Sequence, residues 1–177
     1  MASSINPDEV KTLSPPILAH VGDGNVTLHP VDALNHPTSE ANRHALDFPT
    51  DEVKTLSPLI LAHVGDAYFH LYIRTRLLHV TRNVTRLHEL SVQIVSAQAQ
   101  SKIYHALENF LTDAERDIFR RGRNAKSHPP RKATVAEYHA STGFEALLGE
   151  LFLRKNFVRL DEICELSFNI AFKEVST

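Results

Sequence analysis

The stretch that decides the fold is SPLILAHVGDAYFHLYIRTRLL, residues 57–78, in which apolar residues recur at helical spacing throughout. It opens with Ser57 and Pro58, a hydroxyl side chain suited to cap a helix and a proline suited to the first helical position. The pattern predicts a helix from Pro58 to about Leu78. Asp66 lies inside this helix among apolar and small neighbours, where a carboxylate is costly unless it is paired or binds a cation.

Two histidines accompany this aspartate. At 100° per residue, His63, Asp66 and His70 fall within about 60° of one another around the helix axis, so they share a face. The structural interpretation is an aspartate that is solvated or paired with a histidine, and the functional one is a cation site. The pattern of this helix alone favours the structural interpretation.

The remainder of the folded region also has helical patterns. Two capping boxes, Thr112 with Glu115 and Thr134 with Glu137, mark helix starts. The predicted helices cover about residues 84–111 with a break near Ser96, 113–122, 135–155 and 160–172. Since no segment alternates convincingly between polar and apolar residues, the sequence predicts an all-α fold.

The N-terminal part of the chain carries a partial copy of the first helix. Residues 8–23, DEVKTLSPPILAHVGD, match residues 51–66 at an offset of 43 with one difference, Pro16 for Leu59. Two copies are too few for a solenoid array, so a recent duplication explains them better. The prolines at positions 15 and 16 also disfavour a helix in the first copy.

The two copies continue into different sequences. Helical spacing persists after Asp66, whereas the segment after Asp23 is rich in Gly, Asn, Pro and His and has no sustained period. We therefore predict a peripheral, poorly ordered extension at residues 1–49 and a folded domain at residues 50–177. Only the second copy is expected to carry a functional aspartate.

The composition disfavours several classes of protein. The chain has 177 residues, 42% hydrophobic and 23% charged, which suits one globular domain. A single cysteine, Cys164, cannot form an internal disulfide or a multi-thiolate zinc site. The motifs GxGxxG, GxxxxGK[ST] and HExxH are absent, which disfavours common nucleotide-binding and zinc enzymes. No apolar run suits a membrane helix and the N-terminus is unlike a signal peptide, so we expect a cytoplasmic protein that does not contact membranes.

A second acidic residue stands in apolar surroundings, Glu145 in STGFEALLG, residues 141–149. The flanking Gly143 and Gly149 allow another backbone to approach closely. Two helices packed in this way could bring Glu145 to Asp66. Paired carboxylates either share a proton or hold a divalent cation, and hard oxygen ligands suit Mg²⁺ or Mn²⁺.

A basic segment is the third feature. Residues 116–132 contain seven basic residues and one acidic residue, a local charge of +6 in a chain whose formal charge is −2. Arginines near a helix C-terminus also suit the helix dipole, so a solvated helix end is the structural alternative. No aromatic residue lies between Arg120 and Lys132, which favours contacts to the phosphates of a duplex over stacking on single strands.

Three segments together resemble the Mini-ribonuclease III family in order and spacing: LILAHVGDAY at residues 59–68, RRGRNAKS at residues 120–127 and STGFEALLG at residues 141–149. Members are compact ribonuclease III catalytic domains without a double-stranded-RNA-binding domain. The resemblance covers about residues 51–165. It implies an all-α homodimeric bundle with the ribonuclease III endonuclease fold, which cuts double-stranded RNA with Mg²⁺, or with Mn²⁺ as a substitute, and acts in maturation of 23S ribosomal RNA ends.

The resemblance also assigns residues. Asp66 and Glu145 match the catalytic, metal-binding carboxylates, and hydrolysis at such a site leaves 5′-phosphate products. Longer ribonuclease III enzymes carry two further carboxylates at the positions of Ala62 and Thr142, and Mini-III enzymes share this reduced set. His70 stands where the family tends to carry glutamate. The residues expected to bind RNA are Arg120, Arg121, Arg123, Asn124, Lys126, Ser127, Arg131 and Lys132.

Two alternatives remain open at the level of sequence. One is a catalytically weak protein of the same fold that binds double-stranded RNA or associates with the ribosome, as the reduced carboxylate set and His70 suggest. The other is an all-α interaction module whose carboxylates only cap or pair. The basic segment argues against the second, and metal-dependent cleavage separates the first from a nuclease.

Overall fold

The computed structural model describes residues 17–22, 25–30, 48–125 and 133–175. The chain divides into two units, Met1–His44 and Ala45–Thr177. In the first unit, strand β1 (Ile17–Gly22) pairs antiparallel with strand β2 (Asn25–Pro30). The sequence analysis did not predict these strands, so the all-α prediction holds for the second unit only. Most of the N-terminal extension predicted at residues 1–49, Asp23 included, lies outside the described residues.

The second unit is helical throughout its described ranges, which confirms the predicted class. The helices described there are α1 (Pro58–Leu77), α2 (Val84–Ile94), α3 (Ala97–Leu107), α4 (Asp113–Arg123), α5 (Val135–Leu153) and α6 (Phe157–Val175). Short 3-10 turns, Val53–Thr55 and Glu108–Phe110, precede α1 and follow α3. None of the helices within the described ranges is long and apolar enough to cross a membrane.

The predicted capping residues begin the helices. Ser57 Oγ accepts a hydrogen bond from the backbone N–H of Ile60 at 3.3 Å, and Pro58 is the first residue of α1. The break predicted near Ser96 separates α2 from α3, and the Ser96 hydroxyl caps α3. Both predicted capping boxes form, at the starts of α4 and α5. Each cap supplies an acceptor for an otherwise unpaired N–H group, so local chemistry sets these boundaries.

Helix α5 forms the centre of the bundle. Twelve of its residues are buried, and it packs against α1, α3, α4 and α6. The contact with α1 is unusually close. A Cβ atom added to Gly65 would lie 1.9 Å from the Glu145 carbonyl oxygen, and one added to Gly149 would lie 1.9 Å from the Leu61 carbonyl oxygen. These two glycines let the backbones touch, as the sequence predicts for Gly149, and they place Asp66 next to Glu145.

A second close contact joins α4 to α5. A Cβ atom added to Gly143 would lie 2.7 Å from the Phe119 carbonyl oxygen, and one added to Gly122 would lie 2.7 Å from Ala146 Cβ. Phe119 itself is buried and stacks on Tyr104 of α3. The C-terminal turn of α4, which carries the basic residues, is therefore fixed to the helix that carries Glu145.

Candidate active site

A groove of about 430 Å³ lies between α1, α3 and α5, and the segment that joins α2 to α3 completes its wall. Asp66 and Glu145 both line it, on α1 and α5 respectively. The structure therefore brings together the two carboxylates that the sequence singled out. Their proximity follows from the glycine contact described above, since Gly65 precedes Asp66 and touches the backbone of Glu145.

Asp66 is the more accessible of the two carboxylates, with its side chain 46% exposed. His70 Nε2 lies 3.3 Å from Asp66 Oδ1, one helical turn further along α1. His63 is exposed and lines the groove beside Asp66. The shared helix face predicted for these residues is present, with His70 as the partner of Asp66.

Glu145 is the more buried carboxylate. Burial raises its pKa, and the charge of Asp66 raises it further, to about 8, against a hydrogen bond from Gln100 that acts in the opposite direction. These are the two effects expected when a carboxylate leaves water and faces a like charge. A divalent cation between the two groups would offset both penalties, because it stabilises the ionised form of Glu145 that burial and the charge of Asp66 disfavour.

The positions of the two absent carboxylates also lie in this groove. Ala62 and Thr142 are both buried and line it on the same helices as Asp66 and Glu145. The Thr142 hydroxyl donates to the Tyr138 carbonyl oxygen at 3.0 Å, within α5. Neither the alanine nor the threonine, whose hydroxyl is bonded to the backbone of its own helix, adds negative charge. The carboxylates that line the groove are therefore those of Asp66 and Glu145.

The donor set fits one hydrated divalent cation. No group of three or more His, Cys, Asp or Glu side chains within the described ranges could hold a metal, so a fully protein-ligated site of the zinc type is not formed there. Mg²⁺ keeps several waters and commonly takes only one or two carboxylates. Asp66 and Glu145, which line one groove on the adjoining helices α1 and α5, meet that requirement.

Gln100 is a polar residue of the groove that was not predicted from the sequence. It lies in α3 on the same face as Ile103, Tyr104 and Leu107, all of which are buried. A polar amide on the apolar face of an amphipathic helix is the signal that could have identified it.

The residues expected to bind RNA fall in two groups. Arg120, Arg121 and Arg123 lie in the last turn of α4, Asn124 is its C-cap, and all four are exposed. Asp117 pairs with both Arg120 and Arg121, the latter at 3.4 Å between Nε and Oδ2. The other four predicted residues, Lys126, Ser127, Arg131 and Lys132, lie outside the described residues.

Comparisons with known proteins agree with this architecture. The chain matches the family Ribonuclease III domain over residues 59–156. Mini-ribonuclease 3 of Symbiobacterium thermophilum is 48% identical over 96 residues, 53% of this chain and 74% of that protein. Mini-ribonuclease 3 of Thermoanaerobacter sp. is 45% identical over 102 residues, 56% of this chain and 72% of that protein. A crystal structure of a Fusobacterium nucleatum protein has a TM-score of 0.61 and 32% identity, and covers 67% of this chain and 96% of that one.

The all-α bundle and the match over residues 59–156 define a ribonuclease III domain. Within that class, the chain belongs to the Mini-ribonuclease 3 family. This confirms the resemblance carried by the three motifs. It also supports the coarse activity predicted from them, an endoribonuclease that acts on double-stranded RNA.

Proposed function

We propose that the chain is a divalent-metal-dependent endoribonuclease that cleaves double-stranded RNA and uses Asp66 and Glu145 as its metal-binding catalytic carboxylates. The observation that carries the proposal is the presence of both carboxylates in one groove, where the charge of Asp66 acts on Glu145. A carboxylate in a groove whose charge is disfavoured both by burial and by a neighbouring like charge is characteristic of functional sites.

Each polar residue of the groove has its own proposed role. Asp66 and Glu145 would hold the cation, with Glu145 in its ionised form. Mg²⁺ held there would supply Lewis-acid chemistry for the in-line hydrolysis of a phosphodiester with a 3′ oxygen as leaving group, which gives 5′-phosphate products. Mn²⁺ has the same preference for oxygen ligands and is expected to substitute. His70 orients Asp66 through its contact with Oδ1.

The basic end of α4 is proposed to hold the RNA backbone. The exposed guanidinium groups of Arg120, Arg121 and Arg123 are fixed beside α5 through the contact of Gly122 and Gly143. Together with Asn124 they present phosphate-binding groups at one end of the helix. From the sequence that follows we propose Lys126, Ser127, Arg131 and Lys132 as further RNA-binding residues. Duplex RNA is recognised largely through phosphates and 2′-hydroxyl groups, which such groups can contact without reading sequence.

The finer assignments follow the family resemblance. We propose a homodimer in which each protomer cuts one strand, an action in the cytoplasm, and the ends of the 23S ribosomal RNA precursor as substrate. Light scattering of the purified chain tests the dimer. Cleavage of a 23S precursor fragment, compared with an unrelated duplex of equal length, tests the substrate.

The primary experiment is cleavage of a labelled RNA duplex with and without Mg²⁺, with the wild type beside Asp66→Asn and Glu145→Gln. We expect Mg²⁺-dependent cuts with 5′-phosphate ends in the wild type and loss of at least about a thousandfold in rate in each variant, as for removal of a group that acts as part of a catalytic unit. If either variant still cleaves at the wild-type rate, the carboxylate that it lacks is not part of the active site.

A non-catalytic RNA-binding protein is the second candidate. It is favoured by the neutral side chains at Ala62 and Thr142 and by the contact between His70 and Asp66. The same experiment decides between the two, because this candidate predicts that the duplex is bound by the wild type and is not cut at any Mg²⁺ concentration.

A further inference from the structure

Gln100 is a polar side chain in an apolar position. It is 1% exposed and lies on the face of α3 that packs into the core, yet it also lines the groove of Asp66 and Glu145. A buried amide gives up its hydrogen bonds to water and must replace them within the protein. The hydrogen bonds of the Gln100 amide therefore indicate which groups bind in the groove.

The carbonyl group of Val95 fixes the orientation of this amide. Gln100 Nε2 donates a hydrogen bond to the Val95 oxygen at 3.0 Å. The opposite orientation would place Oε1 against that oxygen, and two acceptors cannot bond to each other. Gln100 and Glu145 line the same groove, and the Gln100 amide lowers the pKa of the Glu145 carboxylate as a hydrogen-bond donor does.

The other end of the amide is left without a donor. Gln100 Oε1 is shielded from solvent and accepts no hydrogen bond from any described residue. With a cation bound, Asp66 and Glu145 are both ionised and are acceptors only, so in that state neither can supply the missing donor. A water molecule between the carboxylates and Oε1 can, because it donates two hydrogen bonds and the site has several polar partners for it.

We propose that Gln100 is a positioning residue of the cation site: its N–H group holds the Glu145 carboxylate, and its Oε1 accepts a hydrogen bond from a water bound to the divalent cation. This inference rests on the proposed function, since it takes the carboxylate pair as the cation site. A cation with only two carboxylate ligands keeps several waters, and these need acceptors around them. Groups that orient metal ligands typically change affinity by about 10- to 100-fold.

The test measures Mn²⁺ binding to the full chain without RNA, by the electron paramagnetic resonance signal of free Mn²⁺. Gln100→Met keeps a similar side-chain volume and removes the amide. We expect its dissociation constant for Mn²⁺ to rise about tenfold or more. Gln98→Met is the matched control, the same change at an exposed position of α3, and it is expected to bind Mn²⁺ like the wild type.

A second variant tests the same proposal through an increase in the affinity for Mn²⁺. Gln100→Glu keeps an oxygen at the position of Oε1 and adds a negative charge beside the hydrated cation. The variant also loses the N–H group that faces Glu145. We expect the added charge to outweigh that loss, so that the variant binds Mn²⁺ severalfold more tightly than the wild type; a position 100 remote from the cation would give no gain. This variant also decides the matter if Gln100→Met fails to fold, as judged by its melting temperature in EDTA.

The outcomes separate this proposal from the one on which it rests. If Asp66→Asn abolishes Mn²⁺ binding while both Gln100 variants bind like the wild type, Gln100 has no positioning role and the proposed function stands. If the wild type shows no Mn²⁺ binding that Asp66→Asn removes, the cation site itself is wrong, and both proposals are overturned.

Discussion

At the scale of the residue, the site depends on a carboxylate that the fold keeps in an unfavourable place. Burial and the charge of Asp66 raise the pKa of Glu145 to about 8, well above its ordinary value of 4.5. The cost of holding Glu145 ionised is present in the folded chain before any cation binds. Binding of a cation that offsets this cost therefore also stabilises the fold, since a ligand that binds only the native state raises the free energy of unfolding.

This arrangement predicts how stability depends on pH in the absence of metal. The folded chain binds the Glu145 proton more tightly than the unfolded chain, so this group lowers the free energy of unfolding as pH rises from about 4.5 to about 8. Glu145→Gln removes the titration. Relative to the wild type in EDTA, we expect the variant to gain up to a few kcal/mol, on the order of one per pH unit, between pH 5 and pH 8.

Urea unfolding in EDTA at several pH values measures this difference. Glu52→Gln, which removes an exposed carboxylate ahead of α1, is the control and should follow the wild type. Adding Mg²⁺ at pH 8 should stabilise the wild type and leave Glu145→Gln unchanged. A difference between wild type and variant that stays constant from pH 5 to pH 8 contradicts the raised pKa.

At the scale of the element, the contact between α1 and α5 aligns the site. Gly65 and Gly149 each face a carbonyl oxygen so closely that a methyl group does not fit. We expect Gly149→Ala to destabilise the chain by about 1–3 kcal/mol, the usual cost of overpacking, and to weaken Mn²⁺ binding because α1 must move away from α5. Ala67→Ser, which adds one atom to the exposed face of α1, is the control.

Thermal melting and Mn²⁺ titration of these two variants check the expectation. Loss of stability without any loss of Mn²⁺ affinity would mean that the helices separate at a distance from the carboxylates. Equal effects in Gly149→Ala and Ala67→Ser would mean that an atom added at the contact of α5 with α1 costs no more than one added to the exposed face of α1, and the close contact would have no special role.

The elements also show how far the sequence could predict this fold. The caps at Ser57, Thr112 and Thr134 place three helix starts correctly, because a cap is a local interaction within four residues. Helix α6 runs from Phe157 to Val175, longer than the predicted 160–172, because its first residues are exposed apolar side chains that do not follow the core pattern. Gln100 escaped prediction since its role depends on a neighbour, Glu145, that only tertiary packing provides.

One hexapeptide shows that local sequence alone does not determine secondary structure in this chain. The sequence ILAHVG forms strand β1 at Ile17–Gly22, and it forms part of the N-terminal half of α1 at residues 60–65. The same six residues therefore adopt either structure, and their surroundings decide. In the second copy, the Ser57 cap and the packing of Leu61 and Gly65 against α5 favour the helix.

The duplicate predicts a difference between two otherwise equal aspartates. Asp23→Asn should leave cleavage of duplex RNA unchanged, whereas Asp66→Asn should abolish it, because Asp66 lies on α1 in the groove of Glu145 and the sequence after Asp23 has no sustained helical period. Rates measured under single-turnover conditions give the comparison. Equal losses in the two variants would contradict the predicted domain boundary and give the first copy a part in the reaction.

At the scale of the whole molecule, a chain with a formal charge of −2 is proposed to bind a polyanion. Net charge gives no attraction, so affinity must come from the local surplus of +6 across residues 116–132. Binding of this kind releases counterions from the phosphates and weakens as salt rises, by an amount set by the number of phosphates contacted. The position of the charges therefore matters more than their total.

The salt dependence of binding tests this distribution directly. Arg123, exposed in the last turn of α4, is expected to contact one phosphate, so Arg123→Ala should weaken duplex binding and reduce the slope of log affinity against log salt by about 1. Lys102→Ala removes the same charge from α3, where Lys102 pairs with Glu174 of α6 at 2.7 Å, and should leave the slope unchanged. Fluorescence anisotropy of a labelled duplex, in Ca²⁺ to prevent cutting, gives both slopes. If the two variants lower the slope equally, the electrostatic attraction is spread over the molecule and the end of α4 is not the RNA-binding surface. If only Arg123→Ala lowers the slope, the basic residues in the last turn of α4 attract the RNA in spite of the net negative charge of the chain.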